Sequence, residues 1–334
     1  MHQTIGQPAR DVARIAPQPR RPAAGLAAAV RDALSRRQSE LPSAFLADAA
    51  IADVRREVER HAAAHWQRVE TPLIRRWLAA RRTTPAVRRV VDLFPSGAPG
   101  IMALFEGAAD VAPVETYLAV DPSPERAAEA TARVTAAHPD VSVHSLAADP
   151  SLMLPIRRVP GTVVSILAAT LGRLTPVSAV RTLRAVRAAM SLEDVLLVGL
   201  DLRPPDARLA DPVAPVALLT RWHAHALAVA NRDAGTDFAV ERFVYAARYD
   251  DEHRRVEEGI ASLAACRVQV PGIEPLAFRR GELVRTMVQC CYDRQMLSSM
   301  LRGVGLFVDE WLEAAAATHA LAVARVRFPD DGQP

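Results

Sequence analysis

The chain has 334 residues, half of them hydrophobic and 24% charged, enough for about two domains or one large domain with an elaborated lobe. No apolar run approaches the roughly 18 residues that cross a bilayer, and residues 1–21 lack the apolar stretch of a signal peptide, so they read as a disordered tail on a cytoplasmic protein. The net charge of +3 rests on arginine alone, and the densest basic stretch (Arg75, Arg76, Arg81, Arg82, Arg88, Arg89) has no interleaved aromatics, which points to a solvated helix face and away from nucleic acid.

From Ala23 to Ala80 apolar residues recur at helical spacing, as at Leu26, Val30 and Leu34, with Pro42 and Pro72 as punctuation. The character then changes. Arg89–Leu93 is a short β-branched run that ends at a Pro/Gly-rich turn, Phe94 to Gly100. Thr116–Val120 is a second run, ending at Asp121; Ser123 and Pro124 then supply the N-cap and first-turn proline of a helix to about Ala137. Val141–Leu146 alternates as a strand and leads to Asp149, Thr162–Leu167 reads as a buried strand, and Thr175-Pro176 opens another helix. Val195–Leu200 is a fifth strand. Alternating strands and helices at this spacing predict βαβ units and a parallel, doubly wound sheet, with ligands bound beyond the carboxyl ends of the strands.

After Asp201 the regularity breaks. A helix is expected around Leu218–Arg232, a strand near Phe243–Tyr249, and a hairpin of Cys266–Val270 with Leu276–Phe278 around Pro271-Gly272. Met296–Leu301 reads as helix, and Leu306–Trp311 and Leu321–Phe328 as closing strands. Cys266, Cys290 and Cys291 form no Cys-x-x-Cys and are expected as buried, reduced thiols. His223 and His225 fall on different sides of their helix, a poor metal pair, so no metal site is expected.

Several motifs, in order along most of the chain, resemble the family of the ergothioneine-pathway histidine Nα-methyltransferase. Thr170-Leu171-Gly172-Arg173-Leu174-Thr175-Pro176 stands where the family has Thr-Ile-Gly-Asn-Leu-Thr-Pro, and Leu197-Val198-Gly199-Leu200-Asp201-Leu202 where it has Leu-Leu-Gly-x-Asp-Leu. Asn231-Arg232 with Thr236-Asp237-Phe238, Asp250 to Glu257, and Gly281-Glu282 match three further family segments. The resemblance implies an α/β fold: a Rossmann-like class I methyltransferase sheet (residues 68–199 and 287–330) with an inserted α+β substrate lobe (22–67 and 200–286). It implies S-adenosylmethionine as cofactor and a small amino acid or amine as substrate, with no membrane or nucleic-acid partner and room for a protein partner. Asp92, Gly97, Gly100, Asp121, Asp149 and Thr170 would form the cofactor side. There Asp121 would take the ribose hydroxyls and Asp149 the adenine amino group; as plain strand-end residues both are equally turn formers or helix caps. Arg173, Asp201, Met287 and Gln289 would form the substrate side, and no catalytic residue is evident.

The pattern also departs from the family. Its Glu-Leu-Gly-Ser-Gly-Thr becomes Asp92-Leu93-Phe94-Pro95-Ser96-Gly97, with a ring where no side chain was and a proline without an N–H. Its Tyr-Tyr-Pro-Thr-Arg-Thr-Glu becomes Ala64-His65-Trp66-Gln67-Arg68-Val69-Glu70. Its asparagine for the substrate carboxylate is Arg173, and the Glu and Ser that grip the imidazole align with Met287 and Gln289. Arg173 reads either as a fork for a carboxylate or phosphate or as a solvated side chain. Two functions stay open: a methyltransferase of secondary metabolism for a substrate other than histidine, or a degenerate homologue serving as a binding or partner subunit.

Overall fold

The computed structural model describes residues 23–36, 38–80, 87–95, 99–109 and 113–327, with side chains from residue 27 onward except that of Ala109. The expected tail, Arg81, Arg82, Ser96, Gly97 and Phe328 lie outside the described residues. The helices are α1 (Ala23–Leu34), α2 (Ala52–Val69), α3 (Thr71–Ala79), α4 (Gly100–Ala109), α5 (Pro124–Ala137), α6 (Pro176–Ala189), α7 (Pro205–Ala210), α8 (Val216–Ala234) and α9 (Arg294–Arg302). The strands are β1 (Arg89–Leu93), β2 (Thr116–Asp121), β3 (Ser142–Ala147), β4 (Thr162–Ile166), β5 (Val195–Asp201), β6 (Phe243–Asp250), β7 (Arg255–Ser262), β8 (Cys266–Val268), β9 (Leu276–Phe278), β10 (Leu283–Cys290), β11 (Leu306–Glu313) and β12 (His319–Val326).

A seven-stranded sheet in the order β11-β12-β5-β4-β1-β2-β3 forms the centre, parallel from β5 to β3. At the other edge β12 runs antiparallel to both β5 and β11. The near-continuous apolar runs of β4 and β5 follow from cover on both faces. Val164, Ile166, Leu196 and Val198 pack on one side with Leu183 and Val186 of α6 and Leu297 of α9. Val90, Val163, Val195 and Leu197 pack on the other with Ile74 and Trp77 of α3 and Leu104 of α4. The two-residue alternation of side-chain direction thus serves two cores from one sheet. Local signals act where expected: Ser123 Oγ accepts from Arg126 N at 3.2 Å, and Thr175 Oγ1 accepts from Ser178 N at 3.2 Å. Arg75 and Arg76 are exposed on α3, but Arg88 precedes β1 and Arg89 opens it, half-buried, which corrects the single helix face expected of this stretch.

A second, antiparallel sheet in the order β10-β7-β6 packs with α1 and α8 around Val30, Leu227, Phe243, Ile260 and Val284. Sequence reading placed β6 and the β8–β9 hairpin but read β7 only as a motif, and it missed α4 and α7. β7 hides because it carries adjacent acids. Glu257, buried, is matched by Arg248 (2.8 Å), Arg255 (2.7 Å) and Arg285, and these hold its carboxyl below the ordinary value against the opposing effect of burial. Of the cysteines, only Cys290 is buried; Cys266 and Cys291 are half-exposed at strand edges, which corrects the uniform burial expected of them. No helix among the described residues is long and apolar enough to cross a membrane.

Gly199, inside β5, marks the tightest point of the sheet. A methyl group there would lie 1.8 Å from Glu70 Oε1 and 3.2 Å from Ala168 N. Gly199→Ala is expected to lower stability by about 1–3 kcal/mol through overpacking. Urea unfolding measures it, and an unchanged midpoint would contradict this packing.

Candidate functional site

The carboxyl ends of β1, β2 and β4 meet as the doubly wound topology requires. Asp92, on β1, is buried and accepts from Tyr117 Oη at 3.0 Å and Ser165 Oγ at 3.1 Å. Burial lifts its carboxyl to about 7 against those two bonds. Asp121, ending β2, is buried; Ser123 N donates to Oδ1 at 2.8 Å, and Arg126 Nε stands 3.3 Å from Oδ2. Burial raises its carboxyl and Arg126 opposes that rise. Asp149 follows β3, with Ser151 N donating to Oδ1 at 2.8 Å. Phe94 adopts φ 55, in the left-handed region, and its nearly buried ring joins the core cluster of Leu93, Val120 and Leu154. Gly100 stands close to Glu70: a methyl group there would lie 3.2 Å from Glu70 Oε2 and 2.7 Å from Ile74 Cδ1.

After β4 the backbone makes a turn that sequence reading did not foresee. Ala168 and Ala169 lie at φ 55 and φ 52, two consecutive non-glycine residues in the left-handed region. Each costs about 1–2 kcal/mol without a glycine. Side chains grip the turn from both sides. Glu70 Oε1 accepts from Ala168 N at 2.9 Å, and Gln289 Nε2 donates to Ala169 O at 3.0 Å. Gly172 gives Gln289 its room, since a methyl group there would lie 2.4 Å from Nε2. Thr170, next in the chain, is buried with its hydroxyl unpaired.

The turn forms one wall of a cavity of about 100 Å³. Opposite it lies one face of the second sheet: Tyr245 and Ala247 of β6, Val256 and Glu258 of β7, Met287 and Gln289 of β10. Val58, Glu59, Ala62 and Trp66 of α2 close a third side, and Arg126 reaches in from α5. All four residues expected on the substrate side therefore line one space. They are not equally free. Asp201 is held by Arg203 Nη2 at 2.9 Å and lies 3.7 Å from Arg208 Nε; burial works against its charge, but these arginines keep it below the ordinary value. The Gln289 amide is engaged at Ala169. Arg173 makes no hydrogen bond or close ion pair with the described residues, and burial pulls its guanidinium down while Glu258 supports the charge. Arg173 is half-buried and lines the cavity. Sequence reading placed the loop from Ala168 to Arg173 at the site and named Glu70 in a family segment, but not their conformation or contact; Glu258 and Tyr245 were missed, because only the register of separate strands brings them to the cavity.

Glu70 is buried with Oε2 unpaired, and burial lifts its carboxyl to about 8, with the Ala168 N–H opposing and Asp92 adding to the rise. The unfolded chain ionises this group near 4.5, so its stabilisation is complete below that pH and is lost as pH rises to about 8. Glu70→Gln is expected to flatten this part of the pH profile by a few kcal/mol, at roughly 1.4 kcal/mol per unit. Urea unfolding across that range tests it: wild-type and variant curves that stay parallel would contradict a protonated Glu70.

The sequence matches the model of the family described as histidine-specific, S-adenosylmethionine-dependent methyltransferases over residues 26–326. It is 24% identical over 298 residues to a histidine N-alpha-methyltransferase of Mycolicibacterium smegmatis, covering 88% of this chain and 93% of that protein. It is 31% identical over 160 residues to the protein of that name from Mycobacterium tuberculosis, covering 47% of this chain and 50% of the relative. Among solved structures, an S-adenosylmethionine-dependent methyltransferase from Clostridium acetobutylicum aligns at 10% identity and a TM-score of 0.48, over 77% of this chain and 91% of that one. With the family model matched over residues 26–326, the chain belongs to the histidine-specific, S-adenosylmethionine-dependent methyltransferase family.

Proposed function

We propose that this protein methylates a small, carboxylate-bearing amino acid or amine other than histidine. The observation that carries this reading is Arg173: a guanidinium with no close ion pair among the described residues, in a cavity walled on one side by the turn that follows β4. At the two positions where the resembled family grips the imidazole, this wall offers histidine nothing. Met287 offers an imidazole no hydrogen bond, and Gln289 is turned to the backbone. A polar substrate loses much affinity where a site leaves its donors unpaired.

The residues present fit the cofactor. Asp121 and Asp149 follow neighbouring strands, and Phe94 keeps a left-handed turn at a position where the resembled family carries glycine. Asp121 would hold the ribose hydroxyls and Asp149 the adenine amino group, with Thr170 near the turn. When bound, S-adenosylmethionine supplies a methyl group on a sulfonium, and the protein's part is to orient a nitrogen lone pair toward it. Arg173 orients the acceptor through a bidentate bond to its carboxylate, while Trp66, Ala168 and Ala169 keep water from the reacting end. The lobe of residues 22–67 and 200–286 would close over the substrate.

A second reading, a homologue that has lost methyl transfer and acts as a binding or partner subunit, is favoured by the Phe94 side chain and by Arg126 standing against Asp121. Calorimetric titration with S-adenosylmethionine separates the two. Micromolar binding that Asp121→Ala weakens by about 1–3 kcal/mol supports the enzyme, and absent binding supports the subunit. Phe94→Gly relieves about 1–2 kcal/mol of strain but deletes a buried ring worth about 3–5 kcal/mol. The variant is therefore expected to unfold at lower urea while binding the cofactor more tightly. Weaker binding would show that the ring belongs to the cofactor site.

A further inference from the structure

The face of the second sheet that lines the cavity carries more hydrogen-bond acceptors than its neighbours satisfy. Glu258 on β7 stands directly opposite Met287 on β10, a register set by the irregularity between Arg285 and Met287 that leaves Thr286 without a strand partner. Glu258 Oε2 accepts from Tyr245 Oη at 3.2 Å and lies 3.9 Å from His223 Nε2, while Oε1 has no hydrogen-bond partner among the described residues. His223, on α8, is fully buried with Nε2 unpaired. Its Nδ1 lies 2.6 Å from Thr286 Oγ1, and that hydroxyl is 3.4 Å from the Glu258 carbonyl oxygen.

His223 Nδ1 and the Thr286 hydroxyl share a hydrogen bond whose direction the imidazole tautomer sets, and Nε2 faces the Glu258 carboxylate. Burial and Arg173 hold the imidazole neutral, with its pKa pushed down to about 3. The wall presents the Glu258 carboxylate, which takes one hydrogen bond among the described residues, from the Tyr245 hydroxyl. Arg173 neutralises part of the charge from a distance but closes no ion pair with Glu258. A half-buried carboxylate with an open oxygen favours a cation that brings its own N–H donors, and a second anion there would be repelled.

We infer that the Glu258 wall receives the distal cationic nitrogen, ammonium or guanidinium, of a basic amino acid whose carboxylate lies on Arg173. This rests on the methyltransferase reading of the cavity and narrows its substrate class. Arg173 belongs to the segment that follows the β4 turn, on the cofactor side, whereas Glu258 belongs to the other sheet. The two charges therefore sort the ends of a zwitterion, the carboxylate toward the reacting end and the cation away from it.

The test is calorimetric titration of the full chain, with S-adenosylhomocysteine present, using L-lysine, L-ornithine and L-arginine beside L-norleucine and L-glutamate. At least one basic probe is expected to bind about tenfold or more tighter than norleucine, with glutamate weakest. Glu258→Gln is expected to erase that preference, bringing the basic probes to the affinity of norleucine measured on the same variant. Tyr245→Phe, which keeps the acid, is expected to weaken the basic probes a few fold, and provides the comparison should Glu258→Gln fold poorly. Arg173→Gln is expected to weaken all probes alike. Equal affinity for lysine and norleucine, a preference that survives Glu258→Gln, or no binding of any basic probe at millimolar concentration would overturn the inference. S-adenosylhomocysteine binding, measured in the same proteins, separates the outcomes: if it persists while the basic preference is absent, this inference alone fails, and if it is absent the methyltransferase reading fails first.

Discussion

The architecture of the site depends on one strained turn held from two sides. Ala168 and Ala169 take a conformation that glycine adopts freely and alanine resists, and they do so where β4 delivers the chain to the cavity. Glu70, at the junction of α2 and α3, holds the first amide, and Gln289, on β10, holds the second carbonyl. Neither grip forms without space, and two glycines provide it: Gly199 beneath Glu70 and Gly172 beneath Gln289. The glycines of the Thr-Leu-Gly-Arg and Leu-Val-Gly-Leu-Asp segments thereby acquire a physical reason. Each leaves out a side chain so that a clamp residue can reach the turn. The clamp also joins three parts of the molecule: the helical junction before β1, the seven-stranded sheet, and the three-stranded sheet that faces it.

The charge of the site follows from burial. Glu70 and Asp92 lie in the interior without close cations, and burial lifts both toward neutrality. Asp201 and Glu257 are equally enclosed but ringed by arginines, and they keep their charge. Between these extremes Arg173 and Glu258 face the same cavity without closing on each other. A pair of that kind is costly to leave empty and well suited to a ligand that carries both complementary charges.

Much of the parallel half was legible in the sequence, because β4 and β5 are short runs of apolar residues and Ser123-Pro124 and Thr175-Pro176 mark helix starts by local chemistry. The family could be read from motif order alone. What stayed hidden was set by long-range register. β7 shows charged residues where a strand pattern would show alternation, and Arg248 and Arg285, from its neighbours β6 and β10, join its own Arg255 in making Glu257 tolerable. Glu258 looks like one more acid of a charged run until β10 places Met287 across from it. Glu70 stood in a recognised segment, but its role depends on Gly199, more than a hundred residues later. Alanines in the left-handed region leave no trace in composition or period.

The central claim is that the cavity has kept methyl transfer and changed its acceptor. Its most direct measurement is transfer of an isotopically labelled methyl group from S-adenosylmethionine into a defined mixture of amino acids and small amines, run with and without histidine and resolved by mass spectrometry. Label is expected in a carboxylate-bearing acceptor, undiminished when histidine is left out. Label that enters only histidine, or no label in any acceptor, would contradict it.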